Sequence, residues 1–574
     1  MGNWTESIYS DGTLGFVSNQ TPAIGEKVRI SVRLYEDAPI KGIFLRRMRN
    51  GAEEYLEMEK DRSLGKLSYY TAETTMNEPR LVYYFVIACE HEIYFYTQAG
   101  VVNHVPGEEH DFVLMSDYVQ PDWVKGAVYY QIFPNSFKDG SLSGIKEKIP
   151  YLKELGVTAL YLNPIFQAPS PHKYDCADYF HVDDGLGGDE ALKELSEALH
   201  ENGMKLILDI SINHTGLTNS WVQDKNHFYL KEKDGKLKGW AGYRMLPVLD
   251  YRNEELRNLI YRDENSVLKK WLNPPYNADG WRFDVADVFG RNDELQQADE
   301  LWQEVCESIR TTKNDAMIIG EHWGDCTEYL QGQRWNAPMN YFGFGRILRE
   351  FAGLKDLFLE RNEVLRAIDY KLTAKDVVDR TLEFYSRIPQ VVADCSMNLF
   401  DSHDVARVHN YENISFDKWK GIVISQLLWT GIPCIYYGDE LGIDGYIKDD
   451  RGFRYNMPWE EENSRKKSEY FKLYQKICSL RKTETAFAEG GRKVLLADGR
   501  ILAAARFFDN NIYLGIISME DEDRTVAIPI ELVGASGPEK DVDEFGEGFD
   551  GKVDDAGNFE IEIPANRALL IKLK

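Results

Sequence analysis

The chain has 574 residues, 43% apolar and 28% charged, which is enough for three or four packed cores and too much apolar content for a disordered chain. With 67 Lys and Arg against 94 Asp and Glu, the net charge is −27. Such a surface repels phosphate backbones and anionic lipid, so nucleic acid and membranes are not expected as partners. The 7 cysteines are scattered without a CxxC pair, which argues against a disulfide framework or a zinc site and fits a reduced compartment.

No basic region followed by an apolar run opens the sequence, so no secretory signal is read there and the cytoplasm is the expected location. The first stretch reads as all-β. "KVRISVRLY" alternates Val28, Ile30, Val32 and Leu34 with Arg29, Ser31 and Arg33, the pattern of a half-buried strand. "RLVYYFVIAC" and "HEIYFYTQAG" continue it. Residues 1–121 are expected to form a β-sandwich, with Pro121 marking a linker.

The middle changes character. Apolar runs at "AVYYQIFP", "VTALYLNP", "KLILDISIN", "GWRFDVA", "AMIIGEHW", "SMNLFDSHD" and "IPCIYYGDE" alternate with amphipathic stretches such as "GIKEKIPYLKELG". A weaker run lies at "APMNYFGF". Strands alternating with helices mean βαβ units and a parallel sheet, and eight of them make a (β/α)₈ barrel over residues 122–486. A doubly wound sheet is the other arrangement, but no GxGxxG follows the first strand. Residues 214–250 form a long, aromatic-rich connection after the third strand. "GIVISQLLWTGIPCIYYG" is the least polar long stretch; its polar interruptions read as a buried helix and strand rather than a membrane span. Residues 487–574 return to β character, giving a C-terminal all-β domain.

In such a barrel, chemistry sits where the strands end. Here those ends are charged. Asp209, Asn213 and His214 close the third run; Arg282 and Asp284 share a face of the fourth; Glu321, His322 and Trp323 end the fifth; His403 and Asp404 end the seventh. His172, Tyr174 and Asp175 lie in the second loop. One charged strand end is unremarkable, but several in the same positional sense are poor candidates for stability, because buried charges cost more than they return. A metal site would need histidines spaced as HxH or HExxH, and neither occurs. Glycosyl transfer needs one carboxylate to attack and another to protonate the leaving oxygen. Asp284 beside Arg282 would stay ionised, and Glu321 beside Trp323 would have its pKa raised by an apolar wall.

"DISINH", "GWRFDVADV", "GEHW" and "FDSHD" resemble the four ordered regions of the α-amylase family, glycoside hydrolase family 13. "QIFP", "HKYDCADYF" and "CIYYGDE" are similar to its flanking motifs, and "MLPVLDYRNEEL" resembles a short motif of its neopullulanase, cyclomaltodextrinase and maltogenic amylase branch. The resemblance runs from about Val124 to Thr485. It implies a retaining α-glucan hydrolase acting on α-1,4, and also α-1,6, bonds of short maltooligosaccharides. Asp284 would be the nucleophile, Glu321 the general acid/base and Asp404 the holder of the reacting sugar's hydroxyls. Arg282 would orient Asp284; His172, His214 and His403 would bind sugar hydroxyls; Tyr174 would stack on the sugar; Trp323 would serve the acceptor side; Arg407 would pair with Asp404. Asp209 would brace its loop.

Two departures from the branch stand out. "VADV" replaces "VANE" after the nucleophile, so Asp287 and Val288 make substrate preference unsafe to transfer, and "GEHWGD" replaces "GEIWHD" or "GEVWHD" after the acid. The loop after "QIFP" is short. Asn135 and Asp139 alone fall short of the roughly six to eight oxygens that calcium takes, so no metal and no other cofactor is expected. The resemblance also implies a homodimer through the N-terminal domain. Transglycosylation is the other outcome of the same chemistry; a non-catalytic glucan-binding protein and a metal-dependent barrel hydrolase are the readings from other classes.

Overall fold

The computed structural model describes residues 4–445 and 453–574. Its centre is a ring of eight short parallel strands: β1 Tyr129–Ile132, β2 Ala159–Leu162, β3 Lys205–Ile210, β4 Gly280–Phe283, β5 Met317–Gly320, β6 Ala337–Pro338, β7 Met397–Asn398 and β8 Ile432–Tyr436. They pair in sequence order from β1 to β6, β8 joins β1 to β7, and the parallel bridge Met339–Met397 closes β6 on β7. The barrel expected from the alternating runs is therefore present. β6 is the weak run, reduced to two ladder residues, because the chain turns into a short helical coil at Tyr341–Gly345.

Alternation along each strand decides what faces where. Tyr129, Ala159, Ile207, Met317, Ile319, Met397 and Cys434 pack inside the ring, while Leu160, Leu162, Leu206, Leu208 and Trp281 pack outward against the helices. The same parity turns Gln131, Asp209 and Arg282 inward, at the level where the strands end. Asp209 and Arg282 are register partners across β3 and β4. The apolar stretch from Gly421 becomes the helix Phe416–Leu428 followed by β8.

Before the barrel, a three-stranded and a six-stranded antiparallel sheet form the N-terminal β domain. After it, a four-stranded and a three-stranded sheet form the C-terminal one. The strand Lys27–Tyr35 buries Val28, Ile30, Val32 and Leu34 as its alternation requires. One residue of its polar face departs from the half-buried pattern. Arg33 is fully buried, because the C-terminal domain covers it: its guanidinium lies 4.3 Å from the Phe507 ring, and Nη1 donates to the Tyr69 hydroxyl at 3.0 Å. The connection after β3 carries the short helix Trp221–Asp224 and a small hairpin, Gly239–Trp240 with Tyr243–Pro247. Among the described residues no helix is long and apolar enough to cross a membrane. All 7 cysteines are free.

Candidate active site

A cleft of about 690 Å³ opens at the C-terminal ends of the strands. Asp284, Glu321, Asp404, Tyr174, His172 and His214 line it together, though they come from five different strand-to-helix connections. Trp323 forms part of its wall.

Arg282 organises the floor. It is fully buried, and its Nη1 lies 2.9 Å from Asp209 Oδ1 and 3.2 Å from Asp284 Oδ1, while Nη2 lies 2.9 Å from Glu321 Oε2. One planar guanidinium thus brackets two carboxyl groups and leans on a third. Arg282 has no surface left for a ligand, so it acts on its neighbours rather than on a bound molecule. Asp209 does more than brace a loop: it holds Arg282 and accepts from the hydroxyls of Tyr161 at 2.7 Å and Tyr174 at 3.0 Å.

The alternation of "GWRFDVADV" predicts a strand through Ala286, yet the ladder stops at Phe283. Val285 takes φ = +43°, a left-handed conformation that a β-branched side chain resists. That turn aims the Val285 N–H at Glu321 Oε2, at 2.7 Å. The indole N–H of Trp323 donates to Glu321 Oε1 at 3.0 Å, and the Trp323 ring stacks on Tyr341 with centroids 3.7 Å apart. Glu321 is therefore fixed at both oxygens. Backbone strain of this kind concentrates at functional sites, held there by surrounding structure.

Burial raises the Glu321 pKa and the Asp404 charge adds to this, with Arg282 opposing. Asp284 departs from expectation. Burial and the neighbouring Glu321 push its carboxyl well above the ordinary range, and Arg282 does not cancel this. The reason is that Arg282 divides its charge among Asp209, Asp284 and Glu321. Asp284 and Glu321 therefore titrate as a pair sharing a proton, as adjacent buried carboxyls do.

On the opposite rim, the Gln131 amide donates to His403 Nδ1 at 2.7 Å, and the Nε2 proton goes to the Tyr174 hydroxyl at 2.7 Å, with Asp404 Oδ2 3.0 Å from the same nitrogen. This network assigns the His403 tautomer. Asp404 is held below the usual carboxylate range by His403 and by Arg454, against the effect of burial. The Tyr174 ring lies nearly parallel to those of His172 and His403, with centroids 5.9 and 5.8 Å away. His214 is buried and pushed down to about 3, so its ring is neutral; Trp240 stacks on it at 5.3 Å.

Arg407 is a correction. It is fully buried away from the cleft, where it pairs with Asp439, donates to the Tyr437 carbonyl at 2.7 Å and stacks on Tyr436. The arginine beside Asp404 is Arg454, with Nη2 3.3 Å from Asp404 Oδ1 and Nε donating to the His403 carbonyl at 3.0 Å. Sequence reasoning missed Arg454 because it lies far along the loop after β8, with no spacing that ties it to a strand end. Trp240 was missed by name, although the aromatic richness of its segment was the available signal. Asp287 lines the cleft and lies 3.9 Å from His322, while Val288 is not among the lining residues.

Asp401, His409 and Asp439 bring ligand-type atoms within 4.8 Å of one another. Arg349 and Arg407 already occupy the two carboxylates, so this group is an ion-pair cluster in its present form.

Residues 131–244 and 236–490 match the α-amylase catalytic domain, and residues 31–120 match the α-amylase N-terminal Ig-like domain. The chain belongs to the α-amylase family. It is 30% identical over 529 residues to a cyclomaltodextrinase of Geobacillus thermopakistaniensis, covering 83% of this chain and 84% of that one. It is 29% identical to the intracellular maltogenic amylase of Bacillus subtilis, over 78% and 79% of the two chains. Among solved structures it is similar to a debranching enzyme from Nostoc punctiforme, with a TM-score of 0.68 and 27% identity over 79% of this chain and 99% of that one. A cyclomaltodextrinase structure matches with a TM-score of 0.71 across 100% of both chains; at 24% identity it speaks for the three-part fold. The α-amylase-family chain is a glycoside hydrolase.

Proposed function

We propose that the enzyme hydrolyses α-1,4, and also α-1,6, glucosidic bonds of short maltooligosaccharides or related α-glucans with retention of configuration. The observation that carries this is the single Arg282 guanidinium bracketing Asp284 and Glu321. A planar fork holds its two partners close together, in keeping with the roughly 5–5.5 Å between carboxyl groups that retention needs, against roughly 6.5–9.5 Å for inversion.

In this reading an Asp284 carboxylate oxygen bonds to the anomeric carbon as its bond to the leaving oxygen breaks. Glu321 gives that oxygen its proton. Water then loses a proton to Glu321 and attacks the same carbon, releasing Asp284. Asp404, kept ionised by His403 and Arg454, accepts hydrogen bonds from the sugar's hydroxyls as positive charge develops on the ring. His172 and His214 supply further contacts, Tyr174 offers its ring, and Trp323 with Asp287 borders the acceptor side; His403, fully buried and absent from the cleft lining, acts through Asp404 rather than on the sugar as expected. The names of the relatives, cyclomaltodextrinase and maltogenic amylase, support the substrate class, and the intracellular relative supports a cytoplasmic location. A homodimer through the N-terminal β domain belongs to the same reading.

Proton NMR of freshly released sugar from maltotriose tests the mechanism. The α-anomer is expected first, before mutarotation. A β-anomer burst would overturn retention and the roles given to Asp284 and Glu321. Running maltose, cyclodextrin, pullulan and starch beside it ranks the substrates.

A further inference from the structure

The first strand of the C-terminal domain, Gly491–Asp498, runs beside the barrel helix Ala374–Tyr385 and the N-terminal segment around Tyr9. Five cationic side chains converge near this three-way junction: Arg33, Arg481, Arg492, Lys493 and Arg506. None has an ion-pair partner among the described residues, which is unusual in a chain with this excess of acid. Two half-buried acids are near, Asp11 and Asp394; both accept hydrogen bonds from neutral groups, and Asp394 offsets part of the charge of Arg481 and Arg506. Tyr9 and Thr13 donate to Asp11 at 2.7 and 2.5 Å; Gln390 and Gln20 donate to Asp394 at 2.7 and 3.1 Å.

The five cations are not equally served. Arg506 donates to four backbone carbonyls, those of Ala486, Trp429, Phe487 and Gly490. Arg33 has Tyr69 and the Leu532 carbonyl. Lys493 has the Glu6 carbonyl at 2.9 Å. Arg492 has nothing. Its guanidinium lies 4.4 Å from the Trp429 ring, and Nε and Nη2 are buried without a hydrogen-bond partner. Mutual repulsion and burial are felt across the cluster: Arg492 is pushed down to about 10 by burial and then by Arg506, and Lys493 to about 7 by burial and then by Arg33.

Arg492 also lines empty space. A cavity of about 140 Å³ beside it is bordered by Asp11, Gln98, Ser386, Gln390 and Thr430. A second of about 410 Å³ shares Tyr9, Tyr96, Gln98, Tyr385 and Arg492 with the first and adds Lys493. Tyrosine rings, amides and hydroxyls surround Arg492, with Asp11 on the first cavity and Glu6 on the second, a polar lining in which a small anionic molecule can meet the guanidinium.

We propose that this crevice is an anion-binding site, distinct from the catalytic cleft, which takes a phosphate group, free or carried on a sugar, on Arg492. A phosphate brings multiple charge and acceptor oxygens to the guanidinium fork of Arg492, the match that supplies the hydrogen bonds its buried nitrogens lack. Its occupant would touch all three parts of the chain at once and so bind the folded assembly in preference to the unfolded chain.

The test is isothermal titration of the full chain with inorganic phosphate and with glucose 1-phosphate, alongside sodium chloride at matched ionic strength. Saturable binding of either phosphate, with a rise in unfolding temperature that chloride does not give, is expected. Tighter binding of glucose 1-phosphate identifies a sugar monoester as the occupant; equal binding identifies the free ion. Arg492→Met should weaken binding at least ~10-fold through loss of charge-assisted hydrogen bonds, leaving turnover of maltotriose in phosphate-free buffer unchanged. Arg492→Gln, which removes the charge but keeps a polar side chain, gives a second reading of the same loss should Arg492→Met fail to fold. No saturable heat with either phosphate, or binding that survives both substitutions, overturns the proposal.

Discussion

Two arginines in this enzyme, one enclosed and one half-buried, live under opposite conditions. Arg282 on β4 is fully enclosed with Asp209, Asp284 and Glu321 within 3.2 Å. Arg492 rests on Trp429 with no ion pair and no side-chain hydrogen bond among the described residues. At the barrel mouth four carboxyl groups face two arginines, so the cleft leans negative even after one shared proton is counted. That sign suits a reaction whose transition state carries positive charge on a sugar ring. At the junction the balance is reversed, and the site suits an anion. The residual sign of a buried cluster therefore says what kind of ligand would complete it, provided that the cluster borders a cavity.

The comparison breaks most visibly at Arg282. Arg282→Met strips three buried carboxyl groups of their common counter-charge. Breaking such a network costs about 3–5 kcal/mol of stability, and turnover should fall at least ~10³-fold. Arg282→Lys keeps the charge but loses the fork that holds Asp284 and Glu321 together, so it should recover stability more than activity. Denaturant unfolding beside initial rates separates the two. An Arg282→Met enzyme near full activity would remove the positioning role altogether.

A smaller effect sharpens the electrostatic half of the comparison. Asp284 and Glu321 are both raised by burial, so each limb of the kcat/KM against pH profile should lie above the roughly 4 of an ordinary carboxyl group. Activity is lost at low pH as the pair takes its second proton, and at high pH as it gives up its last. The negative charge of Asp404 raises the Glu321 pKa, so neutralising it lowers that value. The residual activity of Asp404→Asn should accordingly show its alkaline limb moved to lower pH. A limb that stays or moves up would mean that Asp404 acts on Glu321 by some route other than its charge.

Much of this was legible in the sequence, for a definable reason. The strands of the barrel are apolar inside and out, so a polar residue at a strand end is conspicuous; Asp209, Arg282, Glu321 and Asp404 announce themselves that way. The register that pairs Asp209 with Arg282 follows from parity alone. What the sequence hid was conformational or remote. Val285 reads as one more alternating strand residue, and nothing in its neighbours announces φ = +43° or the N–H turned toward Glu321. Arg33 alternates onto a polar face that only the docking of the C-terminal domain buries. Arg407 stands three residues from Asp404 and reads as its natural partner, but the chain turns away after Asp404 and hands Arg407 to Asp439.

That misreading supplies the finest test. Arg454, from the loop after β8, contacts both the Asp404 carboxylate and the carbonyl of His403, and so fixes the rim opposite Arg282. The Arg454–Asp404 pair is partly exposed, with 27% and 30% of the side chains accessible, so solvent screens it and its worth to stability is about 1 kcal/mol or less. Its worth to catalysis is positional. Arg454→Gln should lower kcat about tenfold, equivalent to about 1.4 kcal/mol in the barrier, with KM changed less and the unfolding midpoint nearly unmoved. Arg454→Lys, which retains the charge but reaches only one of the two partners, should restore part of the rate. Arg407→Gln separates the two arginines: it removes the partner of a buried carboxylate that does not line the cleft, so its loss should fall on stability, with the kcat of the folded fraction preserved. Equal kcat losses from both substitutions would show that the β8 loop acts through its fold rather than through Arg454, and an unchanged kcat in Arg454→Gln would take Arg454 out of the site.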